Sequence, residues 1–206
     1  MEIEIIEPCV TLESSTPDME NVIARACRVC YKSEANSTPE SDSKLIKNCI
    51  SRGHQSVLEH ASMTFRIVTN RGVTHELVRH RIGCAYSQES TRYVNYQKKG
   101  IQFINPSIIN PTSEEYDIIK KSWQEAADHY NELISKGAKP ELARTVLSNG
   151  LKTEIVVTMD CRALRHFFEL RCSKKAHPEI RFIAFAMLKI CKEIAPSVFG
   201  DMNYEF

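Results

Sequence analysis

Apolar and polar positions alternate over residues 2–6, where Ile3 and Ile5 interleave with Glu2 and Glu4, and the pattern predicts an opening or edge strand. The period then lengthens. Residues 18–31 read as a helix entered through Pro17, with Val22, Ile23, Ala26 and Val29 on one face. A second helix is predicted over 42–52, where Leu45, Ile46, Cys49 and Ile50 share a face and Gly53 is the stop. Ser56 and Glu59 stand at capping-box spacing and predict a short helix. Met63, Phe65 and Ile67 alternate with Thr64 and Arg66 in a strand over 61–69. Helical spacing returns over 72–81 before Gly83. The polar stretch 84–91 reads as a loop, and 92–96 and 101–104 as short extended pieces. A long helix opens at Thr112 with Glu115 and reaches Lys136 before Gly137; Pro140 starts a shorter one containing Arg144. The β-rich run 153–159 precedes two final helices, 161–171 and 178–194. The sum over residues 1–206 is a single helix-rich α+β domain without regular βαβα alternation.

Composition narrows the functional classes. Lys+Arg 27 against Asp+Glu 26 leaves a net charge of +1, which excludes the strongly basic signature of a general nucleic-acid binder. A hydrophobic content of 42% likewise excludes acidic disorder. No apolar run approaches the roughly 20 residues of a membrane span, and the acidic, alternating start is no secretory signal. A cytoplasmic protein is expected. Eight cysteines then read as free thiols. Cys27 and Cys30 form a lone C-x-x-C whose apolar neighbours predict buried thiols, with a thioredoxin-like redox motif as the alternative. His54, His60, His75 and His80 form no i, i+4 pair, so no metal centre is expected. Neither glycine-rich nucleotide-binding pattern occurs. A phosphate-bearing ligand must therefore be held largely by side chains.

The densest polar cluster is Arg79-His80-Arg81, followed by Tyr86, Ser87, Gln88, Glu89, Ser90, Thr91, Arg92 and Tyr93. On a helix, Glu76, Arg79 and His80 share a face. Cations at a helix end complement the dipole by about 0.3–1 kcal/mol each, a task lysine performs equally well. Arginine's planar fork instead suits phosphate and the carbonyl–imide edge of a pyrimidine or flavin. Arg162, Arg165, His166 and Arg171 make a second cluster. Arg162 and His166 stand one turn apart, and Arg171 projects from the apolar flank of Leu164, Phe167 and Phe168. An arginine there needs an accepting partner, either a structural carboxylate such as Glu169 or Glu179 or a ligand anion.

Arg79-His80-Arg81 followed by Ser90 and then Arg92-Tyr93 resembles the RHR…S motif of the flavin-dependent thymidylate synthases. The likeness continues in the family's order over most of the chain, through Gly53-His54-Gln55-Ser56-Val57-Leu58-Glu59-His60, Leu142-Ala143-Arg144, and Cys161-Arg162-Ala163-Leu164 to Arg171. One departure stands out: eight residues separate Arg81 from Ser90, where the family motif is usually written with seven.

The resemblance implies an α+β fold with a twisted, largely antiparallel sheet, and a homotetramer with active sites shared between chains. It implies conversion of dUMP to dTMP with methylenetetrahydrofolate as one-carbon donor and FAD, reduced by NADPH, as hydride source. By resemblance Ser56, Arg79, His80, Arg81, Gln88, Asp160, Arg162 and His166 match the flavin site. Glu76, Arg79, Gln88, Glu89, Ser90, Thr91, Arg92, Arg144 and Arg171 match the dUMP site, with Arg171 the catalytic arginine that ionises uracil at N3. The chemistry suits these residue types. C5 of uracil must gain enolate character before it attacks an electrophilic methylene, and a guanidinium at N3/O4 stabilises that charge. Thymidylate synthases of the other, classical kind use a cysteine thiolate. Here Cys84, Cys161 and Cys172 lack an evident thiolate-activating setting, and no Asp–His–Ser arrangement makes Ser90 a nucleophile. The competing reading is a single-stranded nucleic-acid-binding module using Arg79, Arg81, Arg92, Tyr93 and Tyr96.

Overall fold

A computed structural model describes residues 2–205. In chain order its elements are β1 (Glu4–Ile6), β2 (Cys9–Ser15), α1 (Met19–Tyr31), α2 (Pro39–Ser51), β3 (Ser62–Asn70), α3 (Arg71–Leu77), β4 (Cys84–Gln88) and α4 (Tyr96–Lys99). Then follow β5 (Gln102–Ile104), α5 (Glu114–Ser135), α6 (Pro140–Ala143), β6 (Lys152–Asp160), α7 (Cys161–Arg171), α8 (Pro178–Ile194) and α9 (Pro196–Phe199). The architecture is α+β, as expected. β1 and β5 form a parallel pair with Ile5 opposite Phe103. The larger sheet has the order β2-β3-β6-β4, and its strands run antiparallel. Thr64 meets Thr158 across β3 and β6 at 2.9 Å, while further up β3 the Arg71 N–H beyond its end donates back to Leu151 at 3.2 Å.

The chain divides into two compact units. One comprises the residues up to Cys9, Ile67–Val78 and Ser87–Ile155. Its core gathers Tyr96, Ile101, Phe103, Trp123, Tyr130 and Leu151, with Phe103 stacked on Trp123 at 4.7 Å. The second comprises Val10–Arg66, Arg79–Tyr86 and the chain from Val156 onward. Ile23, Ile46, Met63, Phe65, Phe167, Phe168, Met187 and Phe199 are fully buried in it, and Phe168 meets Phe167 and Phe199 edge-on.

Capping chemistry sets several boundaries away from the periodicity. α2 starts at Pro39 because Thr38 and Ser41 form a reciprocal capping box. Pro17 lies ahead of the N-cap Asp18, outside α1, and Ser113 rather than Thr112 caps α5. Ser56–His60 is a 3-10 turn with no side-chain cap. β4 occupies the stretch that reads as a loop, residues 92–95 form no strand, and Arg144 stands at the start of a 3-10 turn rather than within a helix.

α1 is rotated from its expected face. Met19, Ile23, Ala24, Cys27 and Arg28 are buried, whereas Val29 and Cys30 are exposed, so only one thiol of the C-x-x-C enters the core. The cause is Arg28, whose Nε donates to Asp42 at 2.7 Å and whose other nitrogens reach Ser33 and Ser41. A buried guanidinium is tolerable only when fully partnered.

Candidate active site

α3 is short. Asn70 caps it by accepting from the Val73 N–H at 2.9 Å, and it ends at Leu77. Arg79, His80 and Arg81 therefore occupy the turn after the helix and do not extend the helical face that carries Glu76. The turn is tight because the chain must reverse into β4. Gly83 has φ +70, and a Cβ there would lie 2.1 Å from Asp160 Oδ2. The Asp160 N–H donates to the Gly83 carbonyl at 3.0 Å and closes the reversal.

In the second unit this turn and α7 enclose a cleft of about 570 Å³. Arg79, His80, Arg81, His166, Arg171 and Lys175 line it together with Ile82, Cys84, Leu170 and two alanines, and among the described residues no carboxylate does. Arg79 and Arg81 are exposed and make no ion pair among the described residues. His80 is the hinge of the group. Its Nε2 accepts from Arg171 Nε at 3.0 Å, its ring meets Phe167 edge-on at 5.1 Å, and its carbonyl accepts from the Tyr86 hydroxyl at 2.6 Å. Burial first, then the positive neighbours Arg171, His166 and Arg79, push His80 down to about 4. It is neutral at physiological pH, as an acceptor facing arginine must be.

The remaining flavin-set residues lie outside the cleft lining. Ser56 is exposed on its 3-10 turn, and Arg162 donates to Glu59 of that turn at 2.6 Å. Asp160 caps α7 through the Ala163 N–H at 2.7 Å, and burial raises its carboxyl above the ordinary value. Arg165 is no ligand cation: it is buried, bidentate to Asp201 at 2.6 and 2.8 Å, and bonded to the Val198 carbonyl. His166 instead lies 3.9 Å from Glu169 and faces the cleft.

Of the nucleotide set, Arg79 and Arg171 belong to the second unit's cleft, and Glu76, Gln88, Glu89, Ser90, Thr91, Arg92 and Arg144 lie in the first unit. Gln88 donates to Thr74 at 2.9 Å and to Thr153 at 3.1 Å. Buried Thr91 accepts from Arg144 at 3.0 Å, and Ser90 accepts from the Arg92 N–H at 3.3 Å. Arg92 is exposed over the Tyr93 ring, 3.9 Å from Glu141, and Glu76 is half-buried on α3. Glu89 accepts from the Tyr96 hydroxyl at 2.6 Å and from Lys152 at 2.9 Å. Lys152 is a contribution the sequence reading missed, as are the anchoring roles of Tyr86 and Tyr96. Lys152 stands 63 residues from Glu89, beyond any local pattern.

Cysteine chemistry is suppressed. Burial pushes Cys161 and Cys172 up to about 12 and also raises Cys84, so these thiols stay protonated near neutrality.

The profile of a family described as "Thymidylate synthase complementing protein" matches residues 11–197. The chain is 41% identical over 199 residues to the flavin-dependent thymidylate synthase of Geobacter sulfurreducens, covering 93% of this chain and 85% of that one. It is 37% identical over 191 residues to the Pyrococcus furiosus protein of the same name, covering 87% and 77%. Among solved structures it is similar to a UMP/dUMP methylase, PolB from Streptomyces cacaoi bound with 5-Br dUMP. The TM-score is 0.84 at 24% identity over 96% of both chains, a likeness of fold.

Proposed function

The chain belongs to the flavin-dependent thymidylate synthase family, and on that premise we propose that it methylates dUMP to dTMP reductively with FAD. Methylenetetrahydrofolate supplies the carbon and NADPH the electrons; the protein works in the cytoplasm as a homotetramer whose chains share active sites. The observation that carries the reading is the cleft, free of carboxylates among the described residues, in which Arg79, Arg81, His166 and Arg171 surround a neutral His80.

The cleft's donors fit FAD. A flavin dinucleotide brings a diphosphate, which exposed guanidinium forks match, and a flat ring system, which Ile82, Leu170 and the alanines accommodate. Arg79, His80, Arg81 and His166 hold the cofactor, with Ser56, Gln88, Asp160 and Arg162 at its margins. When bound, the flavin supplies the hydride. Arg171 polarises the uracil at N3 and O4, so that C5 attacks the methylene carbon as an enolate, and His80 fixes the Arg171 guanidinium through Nε. Glu76 and the Gln88-to-Arg92 loop with Arg144 orient the nucleotide, Ser90 and Arg92 toward its phosphate. The nucleic-acid reading draws no support from the relatives, all named as synthases.

Purified protein loaded with FAD is expected to absorb at flavin wavelengths and to bleach with NADPH, and dUMP with methylenetetrahydrofolate then yields dTMP. A colourless protein without flavin affinity on reconstitution would overturn the proposal.

A further inference from the structure

Ser90, Thr91 and Arg92 sit on a loop that leaves β4 and re-enters regular structure at α4, and one internal hydrogen bond closes it. The Tyr96 hydroxyl at the far end donates to the Glu89 carboxylate at the near end, 2.6 Å away. Both ends are anchored independently. The Glu89 N–H donates to the Glu154 carbonyl on β6 at 2.9 Å. Tyr96 is buried, its N–H donates to the Tyr130 hydroxyl of α5 at 3.2 Å, and the two rings pack edge-on at 5.9 Å. Lys152, at the start of β6, reaches the other Glu89 oxygen at 2.9 Å and lies 3.6 Å from Glu154. The Lys152 and Glu89 side chains are 17% and 18% exposed, so this pair is shielded and not a surface ion pair. Between the clasped ends, the Tyr93 and Val94 N–H groups both donate to the Ser90 carbonyl.

Glu89 thus has its two oxygens bonded inside the protein. From this arrangement we infer that Tyr96 and Lys152 are positioning residues. They hold Glu89, and through it the Ser90–Arg92 segment, in the conformation that receives the nucleotide, so Glu89 acts as a clasp rather than a side-chain contact to substrate. The inference rests on the proposed dUMP site. Its physical basis is pre-organisation: a loop closed before binding does not lose its freedom on binding, so breaking the clasp weakens nucleotide affinity while the chemistry of bound substrate is kept.

Tyr96→Phe removes the hydroxyl and keeps the buried ring; Lys152→Gln removes the shielded counter-charge. In FAD-loaded enzyme, each variant is expected to raise KM for dUMP about tenfold with kcat within about twofold of wild type, a pattern of lost binding alone. FAD affinity stays at the wild-type value, and amide hydrogen exchange over residues 90–95 accelerates. Glu89→Gln keeps an acceptor for Tyr96 and is expected to recover part of the KM that Glu89→Ala loses. KM within twofold of wild type in Tyr96→Phe and Lys152→Gln, or a fall in kcat at unchanged KM, overturns the inference. Wild-type enzyme that neither binds dUMP nor turns it over would instead overturn the functional reading on which it rests.

Discussion

The basic cleft of the second unit and the polar loop of the first direct their hydrogen-bonding capacity differently. In the loop, Glu89, Tyr96, Lys152, Thr91, Arg144 and Gln88 are bonded to other protein groups. In the cleft, Arg79 and Arg81 stand exposed without an ion pair among the described residues, and the central base, His80, is kept neutral. The difference separates two jobs. A closed network fixes geometry before a ligand arrives; exposed guanidiniums keep their donors for an anion and lose little in water while they wait.

The sharpest way to break this contrast is Arg171→Ala. If Arg171 acts on developing negative charge in the uracil ring, kcat falls about 10²–10³-fold, the range for removing one such donor. The flavin spectrum persists, because Arg79, Arg81 and His166 remain. Lost flavin with preserved turnover of the reconstituted enzyme would reverse the assignment. Next in size are Arg79→Ala and Arg81→Ala. A charge-assisted hydrogen bond contributes about 1.5–3 kcal/mol, so each variant is expected to bind FAD roughly 10- to 100-fold more weakly in a titration. Wild-type affinity should also fall as salt rises, since exposed charges are screened. Affinity equal to wild type in both variants would show that these arginines serve solubility and not the cofactor.

His80 joins the two behaviours, being a cleft residue with internal bonds. Its value falls from 6.5 ordinarily to about 4 in the fold, so the unfolded chain binds the proton more readily. The stability that depends on a neutral His80 is complete above about pH 6.5 and is lost as pH falls through about 4. Urea unfolding at pH 7 and pH 5 is expected to show a smaller drop in His80→Gln than in wild type. Equal drops would mean that other groups carry the acid sensitivity.

How far the sequence revealed these regions depends on how local the causes are. α7 and α8 match their expected spans because Asp160 and Pro178 mark their starts and a strong apolar stripe follows. β4 was hidden. Cys-Ala-Tyr-Ser-Gln has no β-branched residue and alternates between half-buried and exposed, so only pairing to β6 makes it a strand. The basic residues after Leu77 extended the helical pattern, yet the helix ends at Leu77 and the chain turns again at Gly83, packed against Asp160. Arg165 resembled its cleft neighbours by type and spacing. Its partner, Asp201, lies 36 residues on, and only the fold brings it near. Charge type could be read locally; which charges the protein neutralises internally could not.

The smallest effects on turnover are expected from the cysteines, and they test whether the cleft supplies charge alone. Cys84 lines it, and Cys161 begins α7, where a helix N-terminus would ordinarily favour a thiolate. Burial defeats that tendency: at about 12, roughly one Cys161 thiol in 10⁵ is ionised at pH 7. Attack on uracil C6 by so scarce a thiolate is a poor route when Arg171 can make C5 nucleophilic directly. Cys84→Ser is expected to keep kcat within about twofold. Cys161→Ala and Cys172→Ala should lower the melting temperature, since each deletes a fully packed group, while turnover per folded molecule stays near wild type. The measurement is single-turnover oxidation of the reduced flavin with dUMP and methylenetetrahydrofolate, normalised to folded protein. If Cys84→Ser alone abolished it, the cleft would be providing a covalent nucleophile, and its exposed arginines would serve to lower a thiol's pKa rather than to hold an anion.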